Sequence, residues 1–132
     1  MSESSACEWT DEILKQFQAI AQLQPGWDSY GGLAPSIAAI GTAGVLLAEL
    51  CKATSWCPPK PHVNPTPDGG IQFEWEEGQR YFEIHVMGFD TITYYYVDEA
   101  IAIEQSGIVT ATIPLQHVVD YIRRVTGELS DE

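Results

Sequence analysis

Apolar and polar residues alternate most regularly between Ile71 and Val86. In Ile71-Gln72-Phe73-Glu74-Trp75 every second residue is apolar, and Phe82, Ile84 and Val86 continue the same period. That is the pattern of half-buried strands, so a central antiparallel hairpin is expected here. A four-residue connection at 76 to 79 would set Phe73 opposite Phe82 and Ile71 opposite Ile84. The apolar set then shares one face, and Gln72, Glu74, Tyr81, Glu83 and His85 share the other. A Pro-rich lead-in from Pro61 and a turn at Asp68-Gly69-Gly70 precede the hairpin.

A third strand is expected over Thr91 to Val97. A three-residue turn at 88 to 90 puts Ile92, Tyr94 and Tyr96 on the core face, and a four-residue turn puts them on the other; the first is preferred because it buries the isoleucine. In either register Tyr95 faces away from Tyr94 and Tyr96. Ala100 to Glu104 reads as a fourth strand, and a turn at Ser106-Gly107 leads into a short fifth run, Ile108 to Ala111.

Helical periodicity brackets this region. Thr10 can cap a helix running to about Leu23, with Asp11 and Glu12 in its first turn and an apolar face of Ile13, Phe17, Ile20 and Ala21. Ser36 can cap a second helix with Ile37, Ile40, Gly44, Leu47, Leu50 and Cys51 along one side. Gly41 and Gly44 each cost about 1 kcal/mol of helix propensity against Ala, which close approach of a neighbouring element would offset. Ala53 to Pro61 reads as a stiff connector. Leu115, Val118, Val119, Ile122 and Val125 form the stripe of a last helix that Gly127 stops.

The pattern predicts an α+β domain spanning 1–132. It has two N-terminal helices, a four- to five-stranded antiparallel sheet at about 62–111 and a C-terminal helix, with the helices on one sheet face and flexible ends at 1–9 and 128–132.

Charge narrows the choice of partner. The chain of 132 residues carries 19 acidic and 6 basic residues, net −13, and the basic ones (Lys15, Lys52, Lys60, Arg80, Arg123, Arg124) form no stripe that could track a phosphate backbone. A basic protein is therefore expected as partner, rather than nucleic acid or an anionic membrane. The three cysteines, Cys7, Cys51 and Cys57, are an odd number without a leader pattern, which implies free thiols and a cytoplasmic setting. The apolar run from Ile37 to Leu50 is too interrupted to span a membrane.

Little catalytic chemistry is legible. Cys51, Cys57 and His62 hold zinc-ligand atoms, but the five-residue gap between the cysteines departs from structural zinc spacing, so neither metal nor cofactor is expected. Glu74, Glu83 and His85, with Asp28, could form a carboxylate and imidazole site in a small enzyme or ligand-binding domain. No nucleophile elbow or phosphate loop accompanies them, so an enzyme is the weaker reading.

Two further features are candidates for recognition. In Trp27-Asp28-Ser29-Tyr30-Gly31-Gly32, Asp28 suits an Asx-type turn seated by the aromatics, and the same loop can present Asp28, Ser29 and Tyr30 to a partner. Tyr81 and Tyr95 beside Glu74, Glu83 and His85 would give a tyrosine and glutamate sheet face suited to a basic surface. A self-pairing edge at Tyr94 to Tyr96 is the route to a homodimer or larger structural homo-oligomer.

The segments Pro25-Gly26-Trp27-Asp28-Ser29-Tyr30-Gly31 and Pro65-Thr66-Pro67-Asp68-Gly69-Gly70-Ile71-Gln72-Phe73-Glu74-Trp75, in this order, resemble a group of small uncharacterised bacterial and phage-borne proteins over about residues 20 to 86. The resemblance implies an architecture and no catalytic residues. The function expected is an acidic module that occupies and inhibits a basic protein, as an antitoxin, an immunity protein or an anti-defence (anti-CRISPR-type) inhibitor does.

Overall fold

The computed structural model describes residues 7–52, 57–87, 91–109 and 115–127. Three helices, α1 (Thr10–Ile20), α2 (Ile37–Lys52) and α3 (Leu115–Val125), accompany five strands: β1 (His62–Pro65), β2 (Ile71–Glu77), β3 (Arg80–Val86), β4 (Ile92–Asp98) and β5 (Ile103–Val109). The strands form one antiparallel sheet in chain order, β1-β2-β3-β4-β5. No helix among the described residues is long and apolar enough to cross a membrane.

The central hairpin keeps its expected faces but not its expected register. Phe73 lies opposite Ile84 and Trp75 opposite Phe82, because the strands run on to Glu77 and Arg80. The turn is Gly78-Gln79, shorter than the expected connection. Gly78 takes φ of 61°, which a tight hairpin turn needs and a residue with a Cβ resists. The resulting slip is an even number of residues, so no side chain changes face. Val86 opposite Ile92 carries Ile92, Tyr94 and Tyr96 onto the core face, the preferred register, while the turn expected at 88–90 lies outside the described residues.

The sheet reaches five strands by a different route from the one the pattern suggests. His62 to Pro65, expected as a lead-in, is edge strand β1, where a proline at the strand end costs no shared hydrogen bond. The fourth and fifth runs are one strand, β5, and Ser106-Gly107 lies inside it. A Cβ on Gly107 would come within 2.9 Å of the Tyr94 hydroxyl, so this glycine makes room for a ring instead of turning the chain.

All three helices pack on the face that carries Ile71, Phe73, Trp75, Phe82, Ile84, Val86 and Tyr96. Helix α1 contributes Ile13, Phe17 and Ile20, and the Phe17 and Phe73 rings are 6.2 Å apart. It has Trp9 at its N-cap position with no side-chain cap, so the Thr10 cap is not formed. It ends at Ile20, and the next turn tightens into the bonds Gln22 N–H to Ala19 O and Leu23 N–H to Ile20 O.

Helix α2 is capped by Ser36, whose hydroxyl accepts the Ala39 N–H at 2.9 Å. Its buried stripe is Ala39, Ala43, Leu47 and Leu50, turned from the expected one so that Ile37 is 90% exposed. Small residues on that stripe let the helix sit close to its neighbours. A Cβ on Gly44 would be 3.6 Å from Phe17, while Gly41 faces open space and gains no such compensation. Helix α3 buries Val118, Val119, Ile122 and Val125, and Gly127 closes it with φ of 83°.

Cys7 to Trp9 are tied down, contrary to the expected flexible start. Cys7 is 4% exposed, and the Trp9 indole donates to the Pro58 carbonyl at 2.9 Å. The other ends expected to be flexible, 1–6 and 128–132, lie outside the described residues, as do 53–56 of the connector and the 110–114 approach to α3. Free thiols at Cys7 and Cys57 are also corrected: the two form a disulfide, leaving Cys51 reduced. Two tryptophan indoles explain the approach. Trp9 and Trp75, the latter bonded to Pro59 O at 2.8 Å, hold the 57–61 connector beside the start of α1.

Candidate interaction face

Strand alternation places every second residue on the face that the helices leave uncovered. Three rows cross it: His62, Glu74, Glu83, Tyr95 and Ser106; Asn64, Gln72, His85, Thr93 and Ile108; and Glu76, Tyr81, Val97 and Glu104. None of the six Lys and Arg residues of the chain falls in these rows. Two of the cations are engaged elsewhere. The Arg80 Nε meets the buried Asp98 carboxylate at 3.0 Å on the helix side of the sheet, and Lys60 pairs with Glu12.

Glu74 and Glu83 lie directly opposite each other, an arrangement that costs energy between like charges. Neutral donors moderate the repulsion. The Gln72 amide donates to Glu74 and reaches Glu83 at 3.5 Å, and the Tyr81 hydroxyl donates to Glu83 at 2.6 Å. The Tyr95 hydroxyl donates to Glu104 at 2.6 Å, and the Tyr81 and Tyr95 rings are 6.3 Å apart. These tyrosines therefore hold their protons firmly. Burial, then the hydrogen bond and charge of Glu83, push the Tyr81 phenol well above its ordinary value. For Tyr95 the bond to Glu104 is the main cause of a rise in the same direction.

At the edge of the face, the β1–β2 turn adds residues that the alternation pattern did not single out. The Thr66 hydroxyl donates to Asp68 at 2.5 Å, and His85 Nε2 lies 3.1 Å from Thr66 and 3.3 Å from the other Asp68 oxygen. Burial alone would raise the Asp68 carboxyl. The Thr66 hydroxyl, the His85 ring and the Gly70 N–H together outweigh it and hold the carboxyl below its ordinary value.

Five of the expected site residues, Glu74, Tyr81, Glu83, His85 and Tyr95, thus share one face. Asp28, Ser29 and Tyr30 belong to a separate loop. There the Asp28 carboxylate accepts the N–H groups of Tyr30 at 3.0 Å and Gly32 at 2.8 Å, and these bonds lower its pKa. The Trp27 indole donates to Leu33 O at 2.8 Å, which closes the turn, and Ser29 sits at φ of 68°. Tyr30 is 92% exposed. The end of the loop is joined to the Asp68 turn by Leu33 N–H to Pro67 O and Ser36 N–H to Gly69 O.

Other expected groupings come apart. Strand β4 is interior, paired on both sides, so Tyr94 to Tyr96 are no self-pairing edge; the open edges are β1 and β5. Tyr94 and Tyr96 instead pack around Tyr121, with ring centroids 5.3 and 5.2 Å from it. Cys57 is bonded to Cys7, whereas His62 stands opposite Glu74 on the uncovered face. Among the described residues no group of three or more His, Cys, Asp and Glu side chains could hold a metal ion. A cleft of about 330 Å³ lies apart from the glutamate rows, lined by residues that include Arg80, Asp98 and Thr126.

The residues that the sequence reading missed are Gln72 as a bridging donor, Thr66 and Asp68 beside His85, and Glu104 beside Tyr95. The signal for Gln72 was its place between Ile71 and Phe73. Glu104 required the β4–β5 register, which depends on a connection where Ala102 adopts φ of 57° without a glycine to announce it. No protein family, curated protein or solved structure matches the chain.

Proposed function

We propose that this chain is a cytoplasmic binding module whose uncovered sheet face occupies a basic surface on a protein partner and blocks it, in the manner of an antitoxin, an immunity protein or an anti-defence inhibitor. The observation that supports this reading is the composition of that face: Glu74, Glu76, Glu83 and Glu104 surround Tyr81 and Tyr95, with no lysine or arginine in the rows. Opposed carboxylates are costly in the free protein, and a cationic side chain arriving between them relieves that cost on binding. Tyrosine rings supply the apolar contact that interfaces concentrate. A nuclease or other nucleic-acid-binding protein has the complementary surface, and covering it would displace the nucleic acid.

The test is affinity capture from the cell of origin at low and moderate salt, with the parent protein and with Glu83→Lys. Capture of a basic protein by the parent, lost in Glu83→Lys while the variant stays folded and loses no more than about 3 kcal/mol through the missing Tyr81 to Glu83 bond, is the expected result. The loss should lie chiefly in the association rate and should shrink as salt rises. Capture that is indifferent to Glu83→Lys would overturn the assignment of the face, and capture of nothing at either salt would overturn the proposed function.

A further inference from the structure

Three sulfur atoms meet where the start of α1, the end of α2 and the connector into β1 converge. Cys7 and Cys57 are bonded, with Cα atoms 5.6 Å apart, well inside the span a disulfide bridges. The third, Cys51 Sγ, lies 3.5 Å from Cys7 Sγ. Cys7 is thus shared, bonded to one sulfur and in contact with another. The three differ in access: Cys7 is buried, Cys51 is half-buried and Cys57 belongs to an exposed residue.

We propose that Cys7, Cys51 and Cys57 form an intramolecular thiol–disulfide exchange site that moves the free thiol between a half-buried and an exposed position. Cys51 gives its proton to solvent, and its thiolate attacks Cys7 Sγ. The Cys51–Cys7 bond forms as the Cys7–Cys57 bond breaks, and Cys57 leaves as a thiolate that takes a proton from solvent. One disulfide and one thiol are present before and after, so no oxidant or reductant is consumed. The outcome is a modification site: Cys57, once released, can take a small electrophile or form a mixed disulfide with a low-molecular-weight thiol.

The site does not depend on the partner-binding reading. It does account for a disulfide in a protein proposed to be cytoplasmic, where such bonds are usually transient and redox-sensing. Burial raises the Cys51 thiol above its ordinary pKa, so the attacking thiolate is scarce near neutrality. Below that pKa its population rises tenfold per pH unit, so exchange should run about 100-fold faster at pH 8.5 than at pH 6.5.

The experiment holds oxidised protein without added thiol or oxidant at pH 6.5 and 8.5, traps free thiols with iodoacetamide over time, and maps the label after trypsin cleavage. Cleavage after Lys15 and Lys52 puts the three cysteines on three different peptides. Label arriving on Cys57, with a Cys7–Cys51 linkage appearing in equal amount, is expected in the parent and absent from Cys51→Ser. Its rate should not change when the protein is diluted tenfold. Label confined to Cys51 at both pH values would overturn the proposal. So would equal labelling of Cys57 in Cys51→Ser, labelling of all three cysteines without any linkage, or a rate that grows with protein concentration.

Discussion

Truncating Trp75 to alanine should cost far more stability than truncating Trp27, although both tryptophans lie next to turns and both donate an indole hydrogen bond. Trp75 is 3% exposed, lies 6.3 Å from the Phe73 ring and 5.9 Å from the Phe82 ring, and anchors Pro59. Its removal opens a cavity beside Phe73 and Phe82 and frees the connector at once, for a cost of about 3 to 5 kcal/mol. Trp27 is only half-buried, so its transfer term is roughly half as large and its loss should cost about 1 to 2.5 kcal/mol. Equal burial of the two rings would instead give equal losses. Trp75→Phe keeps most of the ring and forfeits the bond to Pro59, for about 1 to 2 kcal/mol. Urea unfolding followed by far-ultraviolet circular dichroism reads all three, because the backbone signal does not depend on the tryptophan removed. With a slope of about 1.5 to 2 kcal/mol per molar urea, Trp75→Ala should lower the midpoint by roughly 2 M. A loss below about 1 kcal/mol for Trp75→Ala, or a loss in Trp27→Ala equal to it, would refute the argument from burial.

Alkaline pH should destabilise the protein from about pH 10 upward. The folded-state pKa values of Tyr81 and Tyr95 are raised, so their stabilising contribution is complete below the unfolded tyrosine value of about 10 and is lost as pH rises through the folded values. Glu83→Gln should shift the Tyr81 transition in phenolate absorbance back toward ordinary tyrosine, and an unmoved transition would count against the Tyr81 to Glu83 bond. Gly70→Ala should destabilise by at least about 2 kcal/mol, because its Cβ would stand 2.2 Å from the Val86 carbonyl oxygen, which belongs to a paired strand and has little room to move. A urea midpoint equal to the parent's would show that the β2–β3 edge yields more easily than its pairing suggests.

What the sequence made legible was whatever a period of two or of 3.6 residues can carry. Ile71, Phe73, Phe82 and Ile84 declared their face, and with it the glutamates and tyrosines opposite, without the register being right. An even slip is invisible to alternation, and only the choice of Gly78-Gln79 as the turn decides it. β1 stayed hidden because four residues ending in a proline are too short a run for their alternation to stand out. Gly107 misled because a glycine cleared for a ring looks like a glycine bent into a turn. The sulfur pairing was out of reach for another reason: the contact of Cys7 with Cys51 and Cys57 depends on where Trp9 and Trp75 hold a connector, which no local pattern encodes. The Asp28 loop was read correctly as a turn from its chemistry alone, since an Asx carboxylate followed by glycines closes on its own N–H groups.

Because the sheet is a plain meander, the chain enters it at one edge and leaves at the other. Helices α1 and α2 come from the β1 side and α3 returns from the β5 side, and α2 and α3 meet each other over β2 and β3. The cover on the core is therefore a clasp with two halves, one from each end of the chain. Neither half closes the core without the other, so removing α3 would uncover Phe82 and Tyr96 as surely as removing α1 would uncover Phe73. Neither α1 nor α3 is dispensable to the core, and the helices and sheet should stand or melt together as a single cooperative unit.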